Sequence, residues 1–261
     1  MGRIAVLAVT MLLAGCTSTS GRWGEHATLV PGLTAIKNAA VRAAVDPVTW
    51  VPVVAAGAMT ATGVDDDWSA EVGDHAPLFG GDAEQASTDL RNLTYAAYVV
   101  TALAAPSDDA TRGWFSNKLR GLETGVLALS MEGLVSEALK STTNRERPDG
   151  ENERSLPSGH AGQAGAAATL AIANLDYLGL SGWARGSATA VFYGAAAASG
   201  WGRVESERHY LSDSLVGFAL GHYIARFVQE AFFEAGRRDV SVTPVAVEDG
   251  FALQLAMPVG R

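Results

Sequence analysis

One cysteine, Cys16, stands in 261 residues, so no intramolecular disulfide can hold this chain together. Positive charge is also scarce. There are 19 Lys and Arg against 28 Asp and Glu, a formal net charge of −9. Binders of nucleic acid are basic overall or carry a dominant basic face, so that class is excluded as a partner. Past the first fifteen residues no run reaches the roughly 20 apolar residues that span a bilayer. Candidates such as Leu93–Ala105 have the length of core helices. The body of the chain is therefore expected to be soluble and merely tethered. Charged residues make up 18% and hydrophobic residues 48%, which leaves material for a sizeable core and confines disorder to the ends. No internal repeat is present. Length alone permits one large domain or two small ones.

The opening MGRIAVLAVTMLLAG has the layout of a secretion signal: Arg3 at the positive end, Ile4–Leu13 as the apolar segment, then small residues before Cys16. "LLAGC" resembles the lipobox of bacterial lipoproteins, in which the cysteine is acylated and becomes the new N-terminus. The resemblance implies a lipid-anchored, periplasm-facing protein of the bacterial cell envelope, with several acyl chains because one holds only marginally. Thr17 follows the cysteine where Asp would retain the protein at the inner membrane of enteric bacteria. That pattern favours the outer membrane. Cleavage removes Arg3 and takes the net charge from −9 to about −10.

The remaining organisation reads as a 16–35 tether rich in Ser, Thr and Gly, a 36–237 helical domain and a 238–261 β-hairpin. Asp46-Pro47 is an N-cap with Pro at the first helical position, opening a helix through Ala61. The acidic run Asp65–Asp67 and the stretch 74–83 read as a long connection. Helices are then expected from about Thr88 to Ala105, before Pro106, from Trp114 to Thr143, near 160–176 and 186–200, and from about 209 to 235. The Ala- and Gly-rich runs at 164–175 and 188–200 suit close helix packing. The tail changes to a two-residue period with Asp249-Gly250 at a turn. The fold class is mainly α, a helical bundle with a short C-terminal β-hairpin.

Charged residues interrupt two apolar stripes. Counting backwards from Phe227 through Tyr223, Leu220 and Val216, the next members are Asp213 and His209. The stripe Leu119, Leu122, Val126, Leu129, Gly133, Ser136 ends on Lys140, and an ammonium there is costly without an anionic partner. Arg147-Pro148 follows where the chain leaves that helix. In "LPSGHAGQAG", Ser158 suits an N-cap, the first amides of the helix point outward unsatisfied, and Gly159 lets a ligand approach the backbone. Lys140, Arg147 and Arg203 thus adjoin helix ends in an acidic protein, beside His160 and His209. A carboxylate one turn from an imidazole can fix its tautomer and leave the other nitrogen free as a nucleophile. A tetrahedral oxyanion is the ligand such donors fit.

Taken in order, Lys140, six residues, Arg147-Pro148; then Pro157-Ser158-Gly159-His160; then Arg203, five residues, His209, three residues, Asp213. This resembles the three-part signature of the type 2 phosphatidic acid phosphatase superfamily, which includes membrane lipid phosphatases, soluble bacterial acid phosphatases and vanadium haloperoxidases. The resemblance implies that superfamily's helical bundle and an acid-phosphatase-like phosphomonoesterase acting on a lipid phosphate or a soluble ester. It gives His209 the attack on phosphorus, Asp213 the support of its ring, and His160 the proton for the leaving group. Lys140, Arg147, Ser158, Gly159 and Arg203 would clamp the phosphoryl oxygens, with no metal or other cofactor, and no metal-ligand spacing is visible. Two alternatives stand beside it: a vanadate-dependent haloperoxidase, and a non-catalytic envelope protein of the same fold. One position departs from the pattern. Gly202 stands where the superfamily usually has Ser, which puts one phosphate contact in doubt.

Other candidates have plainer readings. His26 belongs to the tether, His75 to an exposed loop, and His222 to packing or surface. Arg145, Arg154 and Arg208 read as solvated residues able to steer an anion. Asp65–Asp67 read as a solvated turn, since three adjacent carboxylates cannot face one ion. The loops at 62–88 and 144–156 are expected to shape the alcohol side of the substrate.

Overall fold

Small side chains decide where the helices meet. The computed structural model describes residues 21–108 and 113–234, together with the backbone of 241–247 and 250–256. Its helices are α1 (Leu33–Val45), α2 (Pro47–Thr62), α3 (Val64–His75), α4 (Ala83–Ala104), α5 (Trp114–Thr143), α6 (Gly159–Asn174), α7 (Gly182–Glu205) and α8 (Leu211–Val228). Helices α6 and α8 form the centre, with α4, α7, α5, α2 and α1 around them. A Cβ on Gly221 would lie 2.0 Å from the Gly162 carbonyl, and one on Gly217 would lie 2.3 Å from that of Ser158. Glycine at these positions is what lets α6 and α8 run backbone to backbone.

Local signals set the ends. The Asp46 carboxylate accepts from the Val48 amide at 3.0 Å, and Pro47 supplies the first helical φ. Gly63, at φ 73°, closes α2 and leads directly into α3. The acidic run is therefore the first turn of a helix and not a connection, which suits carboxylates beside an N-terminus. Helix α4 likewise begins earlier than the apolar pattern suggests, after a short 3₁₀ turn at Gly80–Asp82. Ser181 caps α7 by accepting from the Ala184 amide.

The expected tether is shorter than its composition implies. Trp23 is fully buried, its Nε1 donates to Asn174 Oδ1 at 2.7 Å, and its ring lies 5.2 Å from that of Phe233. Its amide donates to the Pro106 carbonyl, and that of Thr28 to Phe232. One tryptophan buries more apolar area than the surrounding Ser, Thr and Gly can outweigh. Cys16 and the leader lie outside the described residues.

Helix α5 keeps Leu122, Leu129 and Ser136 of the expected stripe turned inward but not all of its members. Its buried face is Asn117, Lys118, Gly121, Thr124, Gly125, Ala128, Glu132 and Ser136, while Leu119 and Val126 of the anticipated stripe are exposed. Large apolar side chains also face outward on α1, α2, α4 and α7, among them Val41, Trp50, Val54, Val100 and Trp183. Such faces depart from the surface expected of a soluble body trailing on a tether. Among the described residues no single helix is long and apolar enough to cross a membrane; α1 and α2 meet that test only as a pair bent by 52°.

Beyond α8 the chain makes one π turn, Gln229–Phe233. Strands Ser241–Val247 and Gly250–Ala256 pair antiparallel, with Val247 opposite Gly250. Asp249, assigned to the turn, lies outside the described residues.

Candidate active site

Five helix ends converge at one end of the bundle. The C-terminal end of α5 brings Lys140, the first turn of α6 brings His160, and the last turn of α7 brings Arg203. The connection 144–158 supplies Arg147, Ser155 and Ser158. The first turns of α4 add Glu84 and Thr88. The Ser158 amide donates to the Asp213 carbonyl at 3.0 Å, which ties the start of α6 to the start of α8. Lys140 Nζ lies 3.2 Å from the place a Cβ on Gly159 would take, over the first residue of α6. Burial and then the fields of Arg147 and Arg203 push the Lys140 ammonium below its ordinary pKa, against the pull of Glu132. The three cations therefore feel one another.

Their donors are not all met. Ser158 Oγ, Arg147 Nε and Arg203 Nε are buried with no hydrogen-bond partner, and Ser158 and Arg203 are almost wholly enclosed. Ser158 starts α6 but makes no side-chain cap. Leaving buried donors unpaired costs on the order of 1–3 kcal/mol each, and mutual repulsion of the cations adds to that. An anion accepting several hydrogen bonds would remove both penalties.

His209 is not on α8, as the stripe suggested. It sits in the turn before the N-cap Tyr210, and the amides of Arg208 and His209 both donate to the Arg203 carbonyl. Its Nδ1 donates to the main-chain carbonyl of Ser155 at 2.6 Å, while the nearest Asp213 oxygen is 4.0 Å away. That contact puts the proton on Nδ1 and leaves Nε2 with a lone pair. Burial, then Arg203, hold the ring well below the usual histidine pKa; the Ser155 carbonyl opposes this, and Arg147 and Lys140 add to it. These effects together favour the neutral ring. Asp213 is the third residue of α8: Oδ2 accepts from the Tyr210 amide at 2.9 Å and from Ser155 Oγ. Burial raises its pKa, against the Ser155 hydrogen bond and Arg145.

His160 Nε2 lies 3.4 Å from Thr88 Oγ1. Burial, then Arg203, Arg91 and Lys140, lower its pKa from 6.5 to about 3, Glu84 opposing them.

Known proteins share this part of the chain. Residues 124–237 match the PAP2 superfamily, and they include every one of the residues just placed except Glu84, Thr88 and Arg91. The match is confined to that stretch. Over 100 residues the chain is 36% identical to the lipid A 1-phosphatase of Porphyromonas gingivalis, a match that covers 38% of this chain and 21% of that protein's length. Its fold is similar to the transmembrane PAP2 type phosphatidylglycerolphosphate phosphatase of Bacillus subtilis, at a TM-score of 0.51 and 20% identity, over 70% of this chain and 92% of that one.

Within the matched stretch the glycine at 202 has a local cause. A Cβ there would lie 2.8 Å from the Ala83 carbonyl and 3.0 Å from Ser87 Cβ. The position faces the start of α4, and a serine would collide with it.

Several polar groups around the candidate site escaped the sequence reading. Asp65 is buried, not solvated: its carboxylate accepts from the Ser212 amide at 2.9 Å and from Arg145 Nη2 at 2.8 Å. Arg145 reaches Asp213 Oδ1 at 2.7 Å with its other nitrogen. The Leu211 amide donates to Ser69 Oγ at 3.0 Å, so one face of α3 caps α8. Asp65 and Ser69, four apart in an acidic helix, were the available signal. Arg208 is tied at the rim to Glu84, Asp149 and Glu151, and Arg154 to Glu137. His222, as packing required, is buried against Thr169 and Tyr193. Beneath Lys140, Glu132 accepts from Ser136 Oγ and Gln163, and Tyr95 donates to Gln163.

Proposed function

We propose that this chain is a phosphatase that hydrolyses phosphate monoesters through a phosphohistidine at residue 209. The observation that carries the reading is the set of unpaired buried donors, Ser158 Oγ, Arg147 Nε and Arg203 Nε, beside a neutral imidazole whose Nε2 is free. The phosphoryl oxygens would take up those donors, the Lys140 ammonium and the first amides of α6. These groups would carry the charge that a divalent ion carries in other phosphatases.

In the first step the Nε2 lone pair of His209 forms the N–P bond as the P–O bond to the alcohol breaks. His160 gives its proton to the departing oxygen. In the second step a water oxygen attacks phosphorus, His160 takes the proton from that water, and the N–P bond breaks to release phosphate. Burial and the neighbouring cations favour neutral His160, so the bound dianion must raise its proton affinity before it can act as an acid. Asp213, 4.0 Å from Nδ1, opposes the positive charge that the phosphorylated ring acquires.

The relatives named for lipid A and phosphatidylglycerolphosphate support an amphiphilic substrate at the cell envelope. The outward apolar faces support the same setting. Trp23 is anchored in the core seven residues after Cys16. An extended chain of that length reaches about 25 Å, so a lipidated Cys16 would hold the bundle against a lipid surface.

The experiment is a phosphate-release panel on the full chain, covering lipid phosphates, nucleotides and sugar phosphates, with vanadate as inhibitor. Phosphate release that vanadate inhibits and that His209→Ala abolishes is the expected result. Bromide oxidation by peroxide in the presence of vanadate, without phosphate release, would move the assignment to a haloperoxidase.

A further inference from the structure

We infer that Arg145 and Asp65 position the nucleophile: they fix the Asp213 carboxylate, which fixes the Ser155 segment, whose carbonyl aims His209. The inference rests on the phosphatase reading for its kinetic consequence, and on geometry alone for its structural one.

The chain of contacts is continuous. Asp65, on α3, receives Arg145 Nη2 at 2.8 Å and the Ser212 amide at 2.9 Å. Ser212 Oγ donates to the same carboxylate and accepts from Arg145 Nη1 at 2.8 Å. Arg145 Nη1 also donates to Asp213 Oδ1 at 2.7 Å. The guanidinium is further covered by the Tyr210 ring, 4.1 Å from its centroid. The second Asp213 oxygen receives Ser155 Oγ, and the Ser155 carbonyl receives His209 Nδ1 at 2.6 Å. Ser155 and Asp213 are fully buried and Asp65 nearly so.

Direction follows from this order. Without a charged partner, a carboxylate this deeply buried favours its protonated form. Arg145 opposes that, and two carboxylates in return hold the guanidinium charged against its own burial. A neutral Asp213 could turn its new hydroxyl toward Arg145 or Ser155 and lose the present geometry. Ser155 would then be held by its amide, which donates to the Arg145 carbonyl at 2.9 Å, and with the carbonyl less firmly aimed the ring could rotate or exchange tautomers. Asp65 acts one step further out, by aiming Arg145. The side chains of Arg145 and Asp65 hydrogen-bond to each other, to Ser212 and to Asp213, and not to Arg147, Arg203 or Ser158, so oxyanion binding should not depend on them.

That separation gives the test. Arg145→Ala, Arg145→Lys and Asp65→Asn are made in the full chain, and three quantities are read: turnover, the affinity for inorganic sulfate, and the nitrogen shifts of the His209 ring by NMR. Arg145→Ala is expected to lower kcat about a hundredfold and Asp65→Asn about tenfold, on the scale typical of groups that orient a reacting residue. Sulfate affinity should stay within about twofold, and Arg145→Lys should recover part of the lost turnover. In the ring spectrum the Nδ1-protonated form should dominate in the parent and give way to a mixture in Arg145→Ala. The inference is overturned if the ring spectrum is unchanged in Arg145→Ala, or if sulfate affinity falls in step with kcat. A parent protein that releases no phosphate yet shows the ring change would defeat the phosphatase reading and leave the positioning intact.

Discussion

The imidazole of His209 is held by the main chain of Ser155, 2.6 Å from Nδ1, and not by the carboxylate of Asp213, which stands 4.0 Å off. Orientation and charge are therefore divided between two groups. The carbonyl fixes the tautomer; the carboxylate affects orientation only through Ser155 Oγ and acts directly on the positive charge that develops. Asp213→Asn, which keeps the shape and removes the charge, is expected to lower kcat about a hundredfold, in the range seen when one preorganised electrostatic group is lost. Ser155→Ala keeps the carbonyl and should cost about tenfold. Steady-state kinetics on both variants give the ratio; equal losses would mean that Asp213 acts only through Ser155 and not through its charge.

Burial and three cations disfavour the protonated form of His160 and push its pKa down to about 3. A bound dianion reverses that field. Anion binding should then take up a proton over the pH range between the free and bound pKa values, so affinity strengthens as pH falls. Sulfate is the suitable probe, since it stays dianionic throughout. Calorimetry at pH 5 and pH 8 should show several-fold tighter binding at the lower pH with proton uptake, and His160→Gln should remove most of the difference.

Glu132 is fully buried under Lys140, and burial lifts its pKa from 4.5 to about 7, Ser136 and Gln163 opposing the lift. A carboxyl that holds its proton more tightly folded than unfolded stabilises the fold at low pH. That contribution is lost as pH rises from the unfolded value to the folded one. It amounts to a figure on the order of 3 kcal/mol. Glu132→Gln should therefore gain stability over the parent at pH 8 and not at pH 4, as thermal unfolding at the two values would register.

Gly202 faces the start of α4, where the nearest atom to an added Cβ is the Ala83 carbonyl at 2.8 Å. Backbone cannot swing aside as a side-chain tip can. Gly202→Ser is expected to destabilise by about 1–3 kcal/mol and to lower turnover through displacement of Arg203 on the next residue. A serine variant of full stability and higher activity would mean that this position reaches the phosphate after all.

The motif residues were legible because their spacing is short-range. Lys140, Arg147, Ser158, His160, Arg203 and Asp213 each sit at a fixed distance from a helix end, and helix ends announce themselves through Pro, Gly and Ser. What supports them was not legible. Arg145 meets an Asp65 that lies 80 residues earlier, and three consecutive aspartates look solvated until one of them is seen to cap α8. The α5 stripe misled for another reason. Leu119 and Val126 of that stripe face outward, while Gly121 and Gly125 turn inward and leave room for the Trp23 ring and the Tyr98 hydroxyl. Trp23 was hidden by its neighbours, whose composition reads as a linker.

The most direct measurement is to quench the full chain during turnover of a phosphate monoester and locate the phosphoryl group by mass spectrometry. Phosphate carried on the imidazole of His209, absent from His209→Ala and accumulating when His160 is replaced by Gln, is the outcome this account predicts. Steady phosphate release with no phosphorylated residue, undiminished in His209→Ala, would contradict it.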